Sequence, residues 1–389
     1  MKLVVPVEPH AGENRVAITP EAAAKLIKLG LDVAVESNAG EAATYGDAMY
    51  KDAGASIFES AQLTSQLSSA DVVATVRPLE ADRISHLKKS AITVSFLSPT
   101  AHPENVKALS AAGVTSLSFE LVPRISRAQS MDALTSQALC AGYRATLIAA
   151  ERSPKFFPML MTAAGTIPPA KVLVLGAGVA GLQVMATAKR LGAIVSAYDV
   201  RSSSADEVKS MGATFIDLGL DALEGAGGYA REMGEDRAKA QQDALKPFVS
   251  DADIVITTAA VPGRRAPLLI TSDMMSDMKP GSVLVDLAAE TGGNIHGSIA
   301  GEDVTVAVPG GHVTLVGCKD LPSQIATHSS KLYAQNIVSL LSLFTTEGQV
   351  VPDLADEVVT GSALVFNGEV RNALARETLG LPALTQDGE

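Results

Sequence analysis

The sequence predicts an α/β protein with two doubly wound parallel-sheet domains, the first of them discontinuous. Three observations lead to this prediction. Short apolar runs alternate with amphipathic segments through the first third of the chain, and the same alternation resumes after four prolines between residues 154 and 169. A glycine-rich turn joins a strand to a helix soon after that break. Strand–helix alternation of this kind is typical of parallel sheets with helices on both faces.

The first domain begins with strand-like apolar runs that are separated by helical segments. The predicted strands span residues 3–7, 32–36, 71–76, 91–97 and 114–119. The clearest helix covers residues 19–29, because Thr19 is a favourable N-cap and Pro20 suits the first helical position. Gly30 then provides a stop at the C-terminal end.

The second domain repeats this pattern, and the helices beside it define the predicted boundaries. A long helix over residues 132–152 is expected to cross from the first domain to the second. Predicted strands follow at residues 171–175, 194–198, 214–216, 254–258, 283–287, 304–308 and 313–316. A helix from residue 323 to about residue 344 is expected to return the chain to the first domain. We therefore predict a first domain of residues 1–134 plus 322–389 and a second of residues 135–321.

The composition is that of a folded, acidic protein. The 389 residues are 47% hydrophobic and 19% charged, and the formal net charge is −12. This balance argues against disorder and against nucleic acid or anionic lipid as a general partner. Two cysteines far apart in sequence, Cys140 and Cys318, fit a reducing compartment, and neither they nor the six histidines have metal-ligand spacing.

The N-terminal residues predict a first strand rather than a signal peptide, because acidic residues appear by Glu8. The uncharged run at residues 172–188 approaches the minimum length of a membrane span. It contains three glycines of a nucleotide-binding pattern, so we interpret it as a strand, a turn and a helix. The sequence therefore predicts a soluble chain that does not cross a membrane.

The glycine-rich turn carries the main functional signal. The apolar strand at residues 171–175 runs directly into Gly176, Gly178 and Gly181, and a helix follows. The first glycine permits a tight turn, the second lets the backbone approach a pyrophosphate, and the third lets the helix pack on the strand. The helix N-terminus adds N–H donors and a partial positive charge. This is the Rossmann-like pattern of a dinucleotide site.

An acidic residue stands where such a site needs one. Asp199 follows the second strand and lies 18 residues beyond Gly181. Its carboxylate is expected to accept hydrogen bonds from the adenosine ribose and to repel a 2′-phosphate, which favours NAD(H) over NADP(H). Arg201 complicates this preference, since an arginine nearby can hold a phosphate. The alternative is a structural glycine turn without a ligand.

Beyond these features, the chain resembles the NAD(H)-binding component (domain I, or the α1 subunit) of proton-translocating nicotinamide nucleotide transhydrogenases. Alanine dehydrogenase is the soluble relative. The resemblance covers nearly the whole chain from residue 13 onwards. Its more specific stretches are residues 124–132, 161–166 and 227–234. Residues 261–263 and 278–282 recur in both relatives and do not separate them.

Two positions argue against the dehydrogenase. Alanine dehydrogenases hold the substrate carboxylate with an arginine and a lysine, and they use a histidine as acid/base. Arg15 matches the arginine, but the lysine position falls near Thr75 and the histidine position near Ser98. Oxidation of an amino acid requires a proton acceptor near the reacting carbon. Hydride transfer between two nucleotides moves no proton and does not need one.

The resemblance also implies which residues contact the nucleotide. Those with an implied catalytic role are Arg124, Gln129, Asp132 and Tyr229. The further implied contacts are Thr135, Gly176, Gly178, Val179, Ala180, Gly181, Asp199, Val200, Arg201, Gly228, Gln241 and Ala260. Tyr229 would belong to a mobile loop around residues 224–235 that folds over the nucleotide, and Gln129 would orient the nicotinamide.

Simpler interpretations remain open for several of these residues. Arg124 and Arg127 can be solvated loop charges, Asp132 can be a helix N-terminal carboxylate, and Gln241 can be a helix-surface residue. The segment at residues 224–235 can be a plain surface hairpin.

The function implied is that of a transhydrogenase component with Re/Si specificity. It would bind NAD(H) and exchange hydride with NADP(H) held on a partner subunit, while separate membrane subunits translocate protons. A homodimer, peripheral on the cytoplasmic face of the inner membrane through those partners, is implied as well. The alternatives are an alanine dehydrogenase-like enzyme and a non-catalytic NAD-sensing module.

Overall fold

The structure is a computed structural model that describes residues 1–221, 234–260 and 265–384. The predicted contacts Gly228 and Tyr229 and the stretch at residues 261–263 lie outside the described residues. The chain divides into two compact units: unit 1 is Met1–Gln137 with Pro322–Glu389, and unit 2 is Ala138–Leu321.

The first part of unit 1 alternates strands and helices. Its strands are β1 (Lys2–Val5), β2 (Asp32–Glu36), β3 (Ser56–Phe58), β4 (Val72–Ala74), β5 (Ile92–Ser95) and β6 (Thr115–Ser118). Its helices are α1 (Pro20–Lys28), α2 (Asp47–Asp52), α3 (Leu63–Ser69), α4 (Ala81–Ile84) and α5 (Pro103–Ala112), and α6 (Ala133–Arg152) follows. The prediction for α1 is confirmed: Thr19 caps it, with its hydroxyl oxygen accepting the Ala22 N–H at 3.4 Å.

Unit 2 holds a second set of strands. They are β7 (Leu160–Thr162), β8 (Gly165–Ile167), β9 (Lys171–Leu175), β10 (Ile194–Tyr198), β11 (Thr214–Phe215), β12 (Ile254–Thr257), β13 (Val283–Asp286), β14 (Asp303–Val308) and β15 (Gly311–Gly317). The helices between them are α7 (Val179–Arg190), α8 (Ser204–Ser210), α9 (Glu235–Asp251) and α10 (Ser272–Ser276).

The C-terminal segment completes unit 1. It comprises α11 (Ala326–Leu343), β16 (Thr345–Thr346), β17 (Gln349–Val350), α12 (Glu357–Ser362), β18 (Ala363–Phe366), β19 (Glu369–Val370) and α13 (Ala373–Thr378). β18 pairs with β6 in antiparallel orientation, and β19 pairs with β18. The stretch from residue 345, which was assigned to the first domain without predicted strands, therefore extends the first sheet.

The first five strands of each unit's sheet are arranged in the same order in the two sheets. The sheet of unit 1 runs β19-β18-β6-β5-β4-β1-β2-β3, and that of unit 2 runs β11-β10-β9-β12-β13-β15-β14. In both, the first strand of the unit's sheet lies at the centre, the next two follow on one side, and the chain then crosses to the other side. This is the doubly wound order, with its switch point beside the central strand. The predicted fold class is confirmed.

The antiparallel pair at the edge of unit 2 departs from the expected parallel sheet. β14 and β15 are joined by a tight turn at Pro309 and Gly310, and Gly310 has a φ of +85°. A connection this short can only join antiparallel strands, whereas a parallel pair needs a crossover of a dozen residues or more.

The central strands are buried on both faces, which explains their unbroken apolar runs. Leu3, Val4 and Val5 of β1 are fully buried, and Leu173 and Val174 of β9 are at most 2% exposed. Burying one such side chain contributes roughly 1.5–3 kcal/mol, so each sheet and its helices form a stable frame for the strand ends. Among the described residues, none of the helices is both long and apolar enough for a membrane span.

Candidate dinucleotide-binding site

The tight turn between β9 and α7 starts at Gly176. Its φ is +108°, in the left-handed region that favours glycine. The Gly176 N–H donates to the Tyr198 carbonyl at 2.9 Å, and the Thr258 hydroxyl donates to the Gly176 carbonyl at 3.1 Å. Thr258 follows β12, the other neighbour of β9. The turn is therefore held from both sides, by the last residue of β10 and by the residue that follows β12.

The other two glycines of the pattern are needed for different reasons. A Cβ on Gly181 would stand 1.9 Å from the Gly176 carbonyl oxygen, so helix and turn pack too closely for any side chain. A Cβ on Gly178 would meet no heavy atom within 4 Å among the described neighbours. Packing within the chain thus requires Gly181 but not Gly178. The open space beside Gly178 fits a group that approaches the backbone from outside.

The N-terminal end of α7 faces that open space. The helix begins at Val179 with Gly178 as its N-cap, so no cap side chain satisfies its first N–H groups. Val179 is 36% exposed and Ala180 is partly exposed. Free N–H groups and the positive end of the helix dipole favour an anion such as a pyrophosphate.

Asp199 lies one residue beyond β10 and is bound to the turn. Its Oδ2 accepts the Ala177 N–H at 2.7 Å, and its Oδ1 accepts the Arg201 N–H at 2.9 Å. The Arg201 guanidinium adds two hydrogen bonds, from Nε to Oδ1 at 2.9 Å and from Nη2 to Oδ2 at 3.0 Å. The Asp199 side chain is only 8% exposed, and Arg201 covers it.

Three other predicted contacts of unit 2 lie around this region. Val200 packs partly buried against the core, and Ala260 is exposed after β12. Gln241 on α9 is 1% exposed and its Oε1 accepts the Tyr198 hydroxyl at 3.2 Å. The interpretation of Gln241 as a helix-surface residue is therefore wrong, because the amide is buried against the last residue of β10.

The second predicted cluster lies in unit 1, where a 3₁₀ turn at Ser126–Met131 leads into α6. Asp132 caps this helix: Oδ1 accepts the Thr135 N–H at 2.8 Å and Oδ2 accepts the Thr135 hydroxyl at 2.7 Å. Asp132 thus makes the contacts of a helix N-terminal carboxylate. Arg124 and Gln129 are exposed.

Long-range contacts hold the 3₁₀ turn in place. Arg127 is an exposed charge paired with Asp356 at 2.6 Å and with Glu357 at 3.3 Å. Asn336 on α11 donates to the Ser130 carbonyl at 2.9 Å and accepts the Ser136 hydroxyl at 2.8 Å. Asn336 is 7% exposed. It positions the segment that carries Gln129, and no local pattern in the sequence points to it.

A buried polar network surrounds Arg15. Glu13 accepts hydrogen bonds from Arg15 Nε at 2.7 Å and Arg77 Nε at 2.9 Å, and Arg15 Nη1 donates to Gln137 at 2.8 Å. Burial alone would raise the pKa of Glu13, but the hydrogen bond and charge of Arg15 lower that pKa to about 2. Glu8 differs, because desolvation by burial raises its pKa to about 7.

The positions expected for a dehydrogenase lysine and histidine carry hydroxyl groups that bond locally. The Thr75 hydroxyl donates to the Arg77 carbonyl at 2.8 Å. The Ser98 N–H donates to Glu120 at 2.9 Å, and its hydroxyl donates to the same carboxylate at 3.4 Å. A neutral hydroxyl is a poor proton acceptor at neutral pH, so neither residue replaces a catalytic histidine.

Taken together, the doubly wound sheet, the three glycines and the acidic residue after the second strand define an α/β protein of the Rossmann dinucleotide-binding class. The chain belongs to the alanine dehydrogenase/PNT family. The family model for the N-terminal domain matches residues 4–141, and that for the C-terminal domain matches residues 145–373.

Individual relatives agree with this assignment. The chain is 44% identical to the first part of NAD(P) transhydrogenase subunit alpha of Rhodospirillum rubrum, over 100% of both chains. It is 43% identical to NAD(P) transhydrogenase subunit alpha of Haemophilus influenzae, over 95% of this chain and 71% of that protein. An alanine dehydrogenase of Halomonas elongata is 31% identical over 75% of this chain and 74% of that one.

Solved structures of similar fold are consistent with this assignment. A transhydrogenase from Sinorhizobium meliloti superposes with a TM-score of 0.83 at 40% identity, covering 96% of this chain and 100% of that one. An L-alanine dehydrogenase superposes with a TM-score of 0.79 at 23% identity, covering 98% of this chain and 99% of that one. The latter likeness concerns the fold alone.

Proposed function

We propose that this chain is the NAD(H)-binding subunit of a proton-translocating nicotinamide nucleotide transhydrogenase. The observation that carries the proposal is the turn at Gly176–Gly178 with Asp199 bound to it, in a chain that aligns end to end with a segment of a transhydrogenase alpha subunit. The turn offers backbone N–H groups for a pyrophosphate, and Asp199 offers carboxylate oxygens for a ribose without a 2′-phosphate.

The residues of this chain would bind NADH in three groups. Gly176, Gly178, Val179, Ala180 and Gly181 would surround the pyrophosphate, and Asp199, Val200 and Arg201 the adenosine. The third group is proposed from the resemblance: Arg124, Gln129, Asp132, Thr135, Gly228, Tyr229, Gln241 and Ala260. Because the Thr135 hydroxyl donates to Asp132, its oxygen would be left to accept a hydrogen bond from the N–H of a nucleotide amide.

The catalytic contribution of the chain would be positioning. The bound nicotinamide supplies the hydride, and the exposed Gln129 and Arg124 would hold the ring where an NADP⁺ ring on a partner subunit can reach it. Holding two rings in a reactive arrangement can contribute on the order of 7–11 kcal/mol at best. No proton moves in this step, so the hydroxyls at Thr75 and Ser98 are compatible with it.

Partner subunits are a further element of the proposal. The Rhodospirillum rubrum relative is named as the first part of a subunit, and the Haemophilus influenzae subunit is longer than the aligned region. We propose that other subunits hold NADP(H), span the membrane and translocate protons, and that this chain joins them at the cytoplasmic face. A homodimer is proposed from the resemblance. Met161 and Ile167 on the β7–β8 hairpin and Met159 just before it are exposed, so they offer an apolar surface for contacts between the two copies.

Oxidation of alanine is the second candidate, and Glu8 is the observation in its favour. A carboxyl group with a pKa of about 7 near Arg15 has the proton affinity of a general base. Glu8 is, however, only partly exposed, and it already accepts the Val76 N–H at 2.5 Å and the Arg77 N–H at 3.2 Å. Arg15 is occupied by Glu13 and Gln137, so the arrangement favours a structural network over a substrate site.

A cyclic hydride-transfer assay tests the proposal. The purified chain is given NADH and an oxidised NAD analogue, with and without an NADP(H)-loaded partner domain from a related transhydrogenase. We expect turnover only with the partner, and a large loss in Gln129→Ala. Gln349→Ala, another exposed glutamine of unit 1, is the matched control and should keep full turnover. Alanine oxidation without the partner would support the dehydrogenase. NADH binding without any transfer would support a sensing module.

A further inference from the structure

The carboxylate of Asp199 has its acceptor positions filled within the chain. A carboxylate offers about four lone-pair sites, two on each oxygen. Oδ1 accepts the Arg201 N–H and Nε–H, both at 2.9 Å, and Oδ2 accepts the Ala177 N–H at 2.7 Å and Arg201 Nη2 at 3.0 Å. A ribose that binds Asp199 therefore has to displace donors that are already in place.

Only two of the four donors can leave without moving the main chain. The N–H groups of Ala177 and Arg201 belong to the backbone, two residues beyond the end of β9 and three residues beyond the end of β10. The guanidinium of Arg201 is a side chain and 18% exposed. It contacts each carboxylate oxygen once, so its departure frees one acceptor position on Oδ1 and one on Oδ2.

Those two freed positions match a vicinal diol. Two neighbouring hydroxyl groups present two donors side by side, as Nε and Nη2 of a guanidinium do. We propose that the Arg201 side chain occupies the ribose-diol position on Asp199 and is displaced when a nucleotide binds. Arg201 thereby sets the affinity and the specificity of the site. This inference rests on the proposed NAD(H) site.

The specificity follows from where the displaced charge goes. While Arg201 is paired with Asp199, it is not available to a 2′-phosphate, and once displaced it lies beside the adenosine ribose. Without Arg201, the uncompensated Asp199 would repel a 2′-phosphate while accepting the 2′- and 3′-hydroxyls more readily. Loss of the guanidinium is therefore expected to strengthen NADH binding and weaken NADPH binding.

Calorimetric titration of the full chain with NADH and with NADPH tests this proposal. We expect Arg201→Ala to lower the Kd for NADH by about three- to tenfold, the net worth of about one hydrogen bond, and to raise the Kd for NADPH. Arg201→Gln, which keeps the stem of the side chain, should shift both constants in the same directions. Thermal melts and circular dichroism establish that each variant is folded.

Arg190→Ala is the matched control for charge. Arg190 is exposed at the C-terminal end of α7, roughly 16 Å along the helix from Val179. Removing a positive charge should weaken binding of an anionic nucleotide slightly, so the control is expected to show unchanged or weaker NADH binding. Tighter NADH binding in the Arg201 variants would be opposite to that general electrostatic trend. It would therefore indicate that the nucleotide normally has to displace the Arg201 side chain.

The outcomes separate this inference from the proposed function. If folded Arg201→Ala and Arg201→Gln bind NADH with unchanged or weaker affinity, Arg201 does not compete with the ribose. If NADH and NADPH both bind more tightly, Arg201 does not set the specificity of the site. If the unmodified chain does not bind NADH at all, the NAD(H) site itself is wrong, whatever the variants do.

Discussion

The two units have equivalent carboxylates, but among the described residues only the central strand of unit 2 is followed by a short glycine turn. In unit 1, Val5 at the end of β1 pairs with Val35 of β2, and Glu36 follows Val35. In unit 2, Leu175 at the end of β9 pairs with Tyr198 of β10, and Asp199 follows Tyr198. Glu36 accepts the Val7 N–H at 2.8 Å, just as Asp199 accepts the Ala177 N–H at 2.7 Å. In each case the donor lies two residues beyond the central strand.

The connections that follow the central strands are different. β9 reaches α7 through residues 176–178, which contain Gly176 and Gly178. β1 reaches α1 only after residues 6–19, which begin with Pro6 and carry the buried Glu13 and Arg15. Polar groups of the chain itself therefore follow β1 in unit 1, whereas unit 2 leaves the N-terminal end of α7 open beside Gly178.

A carboxylate bound to the turn is therefore a property of this strand order and does not by itself make a nucleotide site. The short glycine connection, which places the helix N-terminus beside the carboxylate, distinguishes unit 2. Substitutions in either unit test this distinction.

The largest effect is expected from Gly181→Ala. Its Cβ would stand 1.9 Å from the Gly176 carbonyl oxygen, so turn and helix must separate. We expect a loss of about 3 kcal/mol in the free energy of unfolding, measured by denaturant titration. Gly178→Ala is the control in the same turn, and its stability should change by less than about 0.5 kcal/mol. Equal losses in both would mean that packing requires both glycines.

Glu8→Gln is expected to change the pH dependence of unit 1. The pKa of Glu8 is raised from 4.5 to about 7 in the folded chain by burial, so the folded state binds more protons than the unfolded state between these values. Stability from this group is complete below pH 4.5 and is lost as the pH rises to 7, by at most about 3 kcal/mol. The variant should lack this decline. Unfolding measured at about pH 5, 6, 7 and 8 checks it, and parallel curves would contradict it.

Asn336→Ala is expected to loosen the 3₁₀ turn at Ser126–Met131. It removes the donor to the Ser130 carbonyl and the acceptor of the Ser136 hydroxyl, at a cost of about 2 kcal/mol. We expect partner-dependent kcat to fall while the Kd for NADH changes little. Asn372→Ala removes a helix cap at α13 and should cost about 1 kcal/mol without affecting kcat. Equal kcat in both variants would exclude a positioning role for Asn336.

The smallest effect is expected from Gly178→Ala on nucleotide affinity. Its methyl group meets open space in the chain but would contact a pyrophosphate on the α7 N-terminus. We expect the Kd for NADH to rise about tenfold, or about 1.4 kcal/mol, with stability unchanged. Fluorescence titration of NADH measures it, and an unchanged Kd would place the pyrophosphate elsewhere.

The sequence predicted the features that depend on neighbouring residues. The central strands, the cap at Thr19 and the turn at Gly176 all have local signals, because apolar runs, caps and glycines act over a few residues. β18 and β19 were not predicted, because they have only four and two residues. β18 is a strand because it pairs with the distant β6, and β19 at the edge of the sheet pairs only with β18 among the described residues.

The same reasoning explains which site features were missed. Asn336 lies 200 residues from its partner Ser136, so no spacing connects them. The sequence places Arg201 two residues after Asp199. Only the side-chain geometry shows that the Arg201 guanidinium occupies one acceptor position on each carboxylate oxygen of Asp199. Thr258 was within reach of prediction, because it follows the strand beside β9 and the carboxyl ends of parallel strands meet at one edge.

The most direct test of the difference between the units is a calorimetric titration of NADH into the chain and into two isosteric variants, Asp199→Asn and Glu36→Gln. We expect one NADH per chain, a Kd at least about tenfold higher in Asp199→Asn, and an unchanged Kd in Glu36→Gln. Two NADH molecules per chain, or an equal loss of affinity in Glu36→Gln when both variants are folded, would contradict the account that only unit 2 is a dinucleotide site.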